Sequence, residues 1–508
     1  MNNQLLVSAL KNLEKLQKNG SVFQGKDFSQ DDLKVLKKTG FLKGIIRGWY
    51  HASKPNENES DTTSWYMSYS EFIAKYLKSR FKKAYCLNSE SSIVFHTGIT
   101  SLPKQIVVMV KKPINDVVTL PHGTSILIYD AGKNFPKQNE LDVQNGIISY
   151  TLETALCNAK PLFFKNSVEE AQIALNMLKD VSPVITILLN EKMKPSASRL
   201  TGALTFIGRE SDAARIQSAW KNATLENLIA TNPFEQESPI LTFSREKNPH
   251  ALRIRSKWKK WREVVANIPH IQPKFIESSV LEKSIEEKYT EDAYHSLSIE
   301  GYKVTRELID KVALGSWNPD NNDEDKDFRN ALAAKGYFNA FEVVVKNIIH
   351  AINNQINCVE MIKKEHHEWH SQLFSASVLA GIIESHHLAG YRNSPIYLRN
   401  SIHVPLPAEA LVDAMEAYFD CMKEENDPFV QAVLGHRLFG YIHPYFDGNG
   451  RMARFIMNAI LTSSGYPWLI IKVEERAAYL QSLEMASGEN DDIELFAKFI
   501  AKGLKEQA

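Results

Sequence analysis

Apolar residues recur every three to four positions over much of the chain, which predicts a mainly helical protein with a mixed N-terminal region. Leu6, Ala9, Leu10, Leu13 and Leu16 share one face of residues 4–18, and Gly20 ends that helix. Asp31 to Thr39 carries Leu33 and Leu36 and stops at Gly40. The run FLKGIIRGWY (41–50) then reads as a small β-hairpin or wing. Residues 92–112 predict two strand-like runs about a glycine-containing turn. A strand follows over 148–159 and an amphipathic helix over 167–180. Residues 224–275 read as a connector, because NPFEQESPILTF holds two prolines and no period. From about 276 the pattern is strongly helical, with helices over 281–301, 331–353, Ala408–Glu424, Val430–Tyr441 and two more in 475–504. Residues 378–411 break it. Pro395, the β-rich IYL and IHV runs and an Asn-Ser turn predict a hairpin there.

A chain of 508 residues suggests about three domains. With 44% hydrophobic and 24% charged residues the composition is globular. Formal net charge is zero, so any nucleic-acid affinity must come from a local patch. Cys86, Cys157, Cys358 and Cys421 lie far apart without CxxC spacing, as expected of a reduced, cytoplasmic chain. The first twenty residues lack the basic and apolar regions of a signal peptide, and no membrane-spanning run is expected.

The densest chemistry lies in His443-Pro444-Tyr445-Phe446-Asp447-Gly448-Asn449-Gly450-Arg451-Met452-Ala453-Arg454. His443 is a candidate general base. Asp447 is a hard oxygen ligand suited to Mg²⁺. Gly448-Asn449-Gly450 can turn backbone N–H groups towards an anion, and the helix expected from Met452 adds its positive end. Arg451 and Arg454, three residues apart, share a face and can grip successive phosphates.

The run resembles the signature of Fic-domain proteins, His-Pro-aromatic-x-Asp-Gly-Asn-Gly-Arg-x-x-Arg, at every fixed position. The resemblance covers about 276–505. It implies a helical Fic fold with a β-hairpin flap and transfer of AMP from ATP to a Tyr, Ser or Thr hydroxyl of a target protein or of the chain itself. In that reading His443 deprotonates the hydroxyl, and Asp447 holds Mg²⁺ on the α- and β-phosphates. Asn449 and the amides of Gly448 to Gly450 steady the phosphate oxygens. Arg451 contacts the phosphate chain and Arg454 the γ-phosphate. Ile396, Tyr397, Leu398, Ile402 and His403 fall in the flap that pairs with the target backbone. Tyr479 falls beside the adenine, while Leu480 and Ser487 replace the family's second aromatic and amide. Ser296-Leu297-Ser298-Ile299-Glu300-Gly301 resembles the family's inhibitory motif, in which Glu300 takes Arg454 from the γ-phosphate. Two other readings remain: a Fic-type transferase of another nucleotide or phosphate group, and a DNA-binding regulator whose Fic domain is a sensor. His366, His367 and His370 have metal-like spacing but lack a carboxylate or Cys partner, and read as surface and packing residues.

Residues 5–225 resemble the antitoxin of AbiE-type toxin–antitoxin pairs, which implies a winged helix followed by an α/β domain. DNA is then one expected partner. A helical cap without a nucleic-acid role is the other reading. RIRSKWKKWR (253–262) interleaves Arg253, Arg255, Lys257, Lys259, Lys260 and Arg262 with Trp258 and Trp261. It reads as a solvated helix face with docked tryptophans, or as a nucleic-acid site. The expected division is 1–90 (winged-helix-like), 91–225 (α/β), 226–275 (connector) and 276–508 (Fic domain, inhibitory helix at about 290–301). ATP and an unidentified target protein are the expected partners. Oligomeric state stays open, a homodimer being one expectation.

Overall fold

A computed structural model of the chain describes residues 3–55, 62–98, 101–274, 276–316, 328–398, 401, 403–487 and 491–508. These divide into two compact units, residues 1–252 with Tyr397–Val404, and residues 253–396 with 405–508.

The first unit begins with α1 (Asn3–Gln17), β1 (Val22–Gln24), α2 (Gln30–Lys38), β2 (Leu42–Ile46) and β3 (Trp49–Ala52). The wing predicted at 41–50 is the antiparallel β2–β3 pair, and β1 adds to its free side in the order β1-β3-β2. Ala9 and Leu13 of α1, Leu36 of α2, Phe23 and Leu42 form its small core. Ser29 starts α2 by accepting from Asp32 N–H at 3.1 Å, while a 3₁₀ turn (Gly25–Asp27) stands between β1 and α2. Next come α3 (Thr63–Phe81), β4 (Tyr85–Leu87), α4 (Ser89–His96), β5 (Gln105–Val110), β6 (Asp116–Thr119), β7 (Ser125–Asp130), β8 (Leu141–Gln144) and β9 (Ile147–Tyr150). The sheet order is β4-β5-β7-β6, with β5 and β7 parallel and the outer pairs antiparallel. The first strand expected in 92–112 is therefore part of α4. Asn88 decides this, because its side chain accepts from Ser91 N–H at 2.9 Å and starts a helix. Six helices, α5 (Leu152–Asn158), α6 (Pro161–Asn166), α7 (Val168–Met177), α8 (Ser182–Asn190), α9 (Lys194–Phe206) and α10 (Glu210–Thr224), surround a second core that includes Leu175, Leu200 and Trp220.

The hairpin expected over 378–411 is a second difference: its described residues form no strand. Ile396, Tyr397 and Leu398 belong to no helix or strand, and His403 makes one isolated bridge, to Ser101. Ile402 lies outside the described residues. Pro395, Pro405 and Pro407 remove backbone donors from the two arms. Threonine hydroxyls take arm carbonyls instead, Thr62 reaching Ser401 O at 3.3 Å and Thr63 reaching Leu398 O at 3.4 Å.

The unit boundary falls within α11 (Pro249–Ala266), immediately before the basic run and within the stretch expected to be a connector. In the second unit Trp258 and Trp261 are buried, and the run's charges meet acids of that unit. Lys257 and Lys260 both pair with Asp491 at 2.7 Å, Arg255 with Asp420 at 2.6 Å and Arg262 with Glu425 at 2.8 Å. These contacts are those of a docked helix. The unit continues through α12 (Ser278–Glu286), α13 (Tyr289–Ile299), α14 (Arg306–Ala313), α15 (Phe328–Asn353), α16 (Cys358–Leu379), α17 (Leu411–Glu424), α18 (Pro428–Ile442), α19 (Asn449–Ser463), α20 (Arg476–Met485) and α21 (Glu494–Glu506). α15 packs along α16 and α18 along α19, with Trp369, Trp468, Tyr337 and Tyr418 fully buried. No single helix among the described residues is long and apolar enough to cross a membrane.

Candidate functional site

The site is assembled where α18 stops. His443 takes a left-handed conformation (φ 55°, ψ 60°) that ends the helix and turns the chain into the loop. Its Nδ1 donates to Gly440 O at 3.2 Å, so Nε2 carries the ring's lone pair. Burial pushes the imidazole pKa down to about 4, against the opposing Gly440 hydrogen bond. The ring is therefore a neutral base at neutral pH.

Asn449 closes the loop on itself. Its Oδ1 accepts from Tyr445 N–H at 3.0 Å and its Nδ2 donates to Tyr445 O at 2.8 Å. The side chain expected to steady phosphate oxygens is thus engaged at both ends by the loop backbone. Tyr445 is clamped from below by α16. Its ring stacks on His370 with centroids 3.7 Å apart, and its hydroxyl meets His367 Nδ1 at 2.9 Å. His370 Nε2 donates to Asp447 O at 3.1 Å, and His366 Nε2 meets the Tyr391 hydroxyl at 2.9 Å. Of the three histidines of EHHEWH, read as surface and packing residues, His366 and His370 are buried and His367 is exposed, and His367 and His370 frame the loop. Sequence reasoning missed that framing; its one signal was their helical spacing. Among the described residues no group of His, Cys, Asp or Glu is arranged to hold a metal by itself.

The anion-facing side is built at the start of α19. Gly448 has φ 81°, and a Cβ there would sit 2.9 Å from the Phe374 ring, so the turn requires glycine. Arg451 is 1% exposed, and none of its three guanidinium nitrogens has a hydrogen-bond partner. It lies between Phe374 and Tyr302, 5.0 and 5.4 Å from their ring centroids. Asp447 Oδ1 is 3.6 Å from Arg451 Nη2 and accepts from Gly448 N–H at 2.6 Å. The rest of the Asp447 carboxylate faces solvent, its side chain 65% exposed.

Arg454, one turn on, meets the end of α13. Its Nε donates to Ser296 Oγ at 3.0 Å, and its Nη2 to Ser296 O at 3.2 Å and to Glu300 Oε1 at 2.8 Å. Glu300 is held by the helix end itself. Gly301 (φ 89°) donates to Ser298 O at 3.0 Å and Tyr302 to Leu297 O at 3.1 Å, a paired turn that stops the helix at Glu300. Enclosure pushes the Glu300 carboxyl up, but Arg454 and then Arg451 outweigh it and hold it below the usual carboxylate range. A side chain on Gly450 would collide with Glu300 Oε1, so this carboxylate lies over the first turn of α19. Tyr479, expected beside a base, is 2% exposed and shares a 2.8 Å hydrogen bond with His436 Nε2. Ser487 Oγ accepts from Arg437 at 2.7 Å.

Residues 361–461 match the model of the Fic/DOC family. The chain is 38% identical over 116 residues to a protein adenylyltransferase Fic of Nematostella vectensis, covering 22% of this chain and 26% of that one. It is 24% identical over 355 residues to a protein adenylyltransferase Fic of Drosophila erecta, covering 66% and 65%. The chain thus spans 26% and 65% of the lengths of these two relatives. Fic-1 (residues 134–508) of C. elegans superposes with a TM-score of 0.37 at 17% identity, over 70% of this chain and 88% of that one.

Proposed function

From a chain whose residues 361–461 constitute a Fic domain, we propose that it transfers AMP from ATP to a hydroxyl side chain of a protein, and that Glu300 restrains the transfer. The observation that carries the reading is Arg451, a fully buried guanidinium at the head of a helix whose three nitrogens make no hydrogen bond and which meets the exposed Asp447 carboxylate only at 3.6 Å. A buried cation left without hydrogen bonds costs several kcal/mol, on the order of the desolvation penalty of one ion. A phosphate chain at the N-terminus of α19 offsets that cost, because N–H groups and guanidinium converge on it.

The target hydroxyl gives its proton to Nε2 of His443 as its oxygen bonds the α-phosphorus. The bond from that phosphorus to the bridging oxygen breaks, and pyrophosphate leaves. His443 suits this step because it is neutral and its Nδ1 proton is already committed to Gly440. Arg451 neutralises charge on the phosphates, and the Asn449 clamp keeps the loop amides in place. Asp447 fits Mg²⁺, because an exposed carboxylate beside a phosphate site is the ligand set that ion takes together with phosphate oxygens and water. When bound, the ion would neutralise phosphate charge. Glu300 competes for Arg454 with the γ-phosphate, so ATP enters in a pose unsuited to attack. Ile396 to Leu398 and His403 are the segment proposed to meet the target backbone, since main chain outside a helix or strand can pair with an added strand. Four free cysteines support a reducing compartment, the cytoplasm.

The test uses the Glu300→Gly protein with ATP labelled at the α- or the γ-phosphate. Label entering protein from the α-position only is the expected result. Label from the γ-position alone would replace AMP transfer by phosphate transfer.

A further inference from the structure

Arg392 is 2% exposed and ranks with the largest fully buried side chains of the protein. Its backbone N–H donates to Pro444 O at 2.9 Å. Its Nε donates to His443 O at 2.9 Å, Nη1 to Ser394 O at 2.9 Å and Nη2 to Leu406 O. One side chain therefore ties the carbonyl of the candidate base to carbonyls on either side of the 396–403 segment. Sequence reasoning missed it.

We propose that Arg392 is a positioning residue, which holds the backbone of His443 and the two ends of the target-docking segment in one frame. The inference rests on the transferase reading above.

The physical case begins with His443. A left-handed backbone is unfavourable for a side-chain-bearing residue and persists only where its surroundings over-determine it. On its N-terminal side the helix does this, through His443 N–H to Phe439 O at 2.9 Å. On its C-terminal side the carbonyl is held by Arg392. Three carbonyls in three directions suit a planar fork of five donors, and an ammonium on a flexible stem cannot reproduce that set. Burying a guanidinium is tolerated when hydrogen bonds replace its water, and here each of its three nitrogens donates to a carbonyl. The neighbouring Tyr391 hydroxyl, at 2.9 Å from His366 Nε2, anchors the same turn to α16. Attack on phosphorus needs the base and the hydroxyl in register, and a misplacement of about 1 Å costs roughly 100-fold in rate. Arg392 is the side chain that ties the base's carbonyl to those of Ser394 and Leu406, which flank the docking segment. Its charge has a second effect. Burial is the main cause of the low His443 pKa, and Arg392 lowers it further.

Arg392→Lys and Arg392→Gln, each in the Glu300→Gly protein, test this beside that parent. ATP binding is read by calorimetry, AMP transfer by label, folding by melting, and the acid limb by rate against pH. Both variants are expected to melt cooperatively, to bind ATP within about threefold of the parent, and to lose about 100-fold in kcat. Arg392→Gln alone should also move the acid limb to higher pH, because only it removes the charge. Parental kcat in Arg392→Lys would overturn the proposal, since charge alone would then suffice. Loss of ATP binding and cooperative melting in both variants would also overturn it, in favour of a structural role. Absence of transfer by the Glu300→Gly parent would instead refute the transferase reading, and this inference with it.

Discussion

Glu300 Oε1 stands 2.8 Å from Arg454 Nη2, and the same carboxylate fills the space above Gly450 at the head of α19. The Gly301 turn stops α13 at Glu300, which places this residue at the helix end, beside the first turn of α19. Burial alone would lower the Arg454 guanidinium, and Glu300 reverses this and raises it. Each member of the pair thus favours the charged form of the other.

Glu300→Gly is expected to raise the initial rate of AMP transfer by roughly 100-fold, equivalent to about 2.8 kcal/mol. Glu300→Gln should raise it by a similar factor, because it removes the charge while keeping the helical backbone. Labelled transfer at matched ATP and Mg²⁺ measures both. Wild-type rates in both variants would remove Glu300 from any inhibitory role.

Arg451→Gln should separate binding from stability. ATP affinity is expected to fall by roughly 10- to 100-fold, the range of one charge-assisted hydrogen-bonded contact. Thermal stability should hold or rise, because a buried cation without hydrogen bonds is removed. A lower Tm with unchanged affinity would make Arg451 a structural residue.

His443→Ala is expected to abolish transfer and spare ATP binding, read by label and by calorimetry. In the active protein the rate should stay flat from neutrality down towards pH 5 and fall as pH drops through about 4, where the ring gains a proton. An ordinary histidine would lose activity near pH 6.5. The charged groups acting on the ring are Arg392, which lowers its pKa, and Glu300 and Asp447, which raise it. Removing Glu300 therefore moves the limb further down. Stability follows the same sign. The folded pKa lies below the unfolded one, so this contribution is complete above about 6.5 and is lost as pH falls towards 4.

Asn449→Ala leaves a buried N–H and carbonyl of Tyr445 without partners. A loss of about 2 kcal/mol in unfolding free energy is expected, measured by denaturant titration. A change below about 0.5 kcal/mol would mean that His370 and His367 hold the loop without it.

The sequence by itself determined the local parts of this protein. The spacing of Arg451 and Arg454 places both on one turn of α19, and Gly448 marks a left-handed turn before it. The helical periods of 331–353 and 430–441 return as α15 and α18. Such features depend on neighbours within a few residues, where backbone geometry and side-chain type decide the outcome. Glu300 and Arg454 are 154 residues apart, and their pairing was legible through a family resemblance and not through spacing. What no local pattern carried was decided by tertiary structure. His370 reaches Asp447 across 77 residues, and Arg392 reaches His443 across 51. The helix face with docked tryptophans expected at 253–262 returns in α11, but its charges at Arg255, Lys257, Lys260 and Arg262 are paired, because Asp420, Glu425 and Asp491 meet them from far along the chain. The strand expected at 92–96 became a helix because an upstream cap outweighs β-branched composition over so short a run. The described residues of 378–411 form no strand, because prolines remove donors there and the distant hydroxyls of Thr62 and Thr63 take two of its carbonyls. The Asn88 cap is a local signal, three residues from its partner, whereas the acids that dock α11 and the threonines that take the Leu398 and Ser401 carbonyls are brought close only by the packed chain.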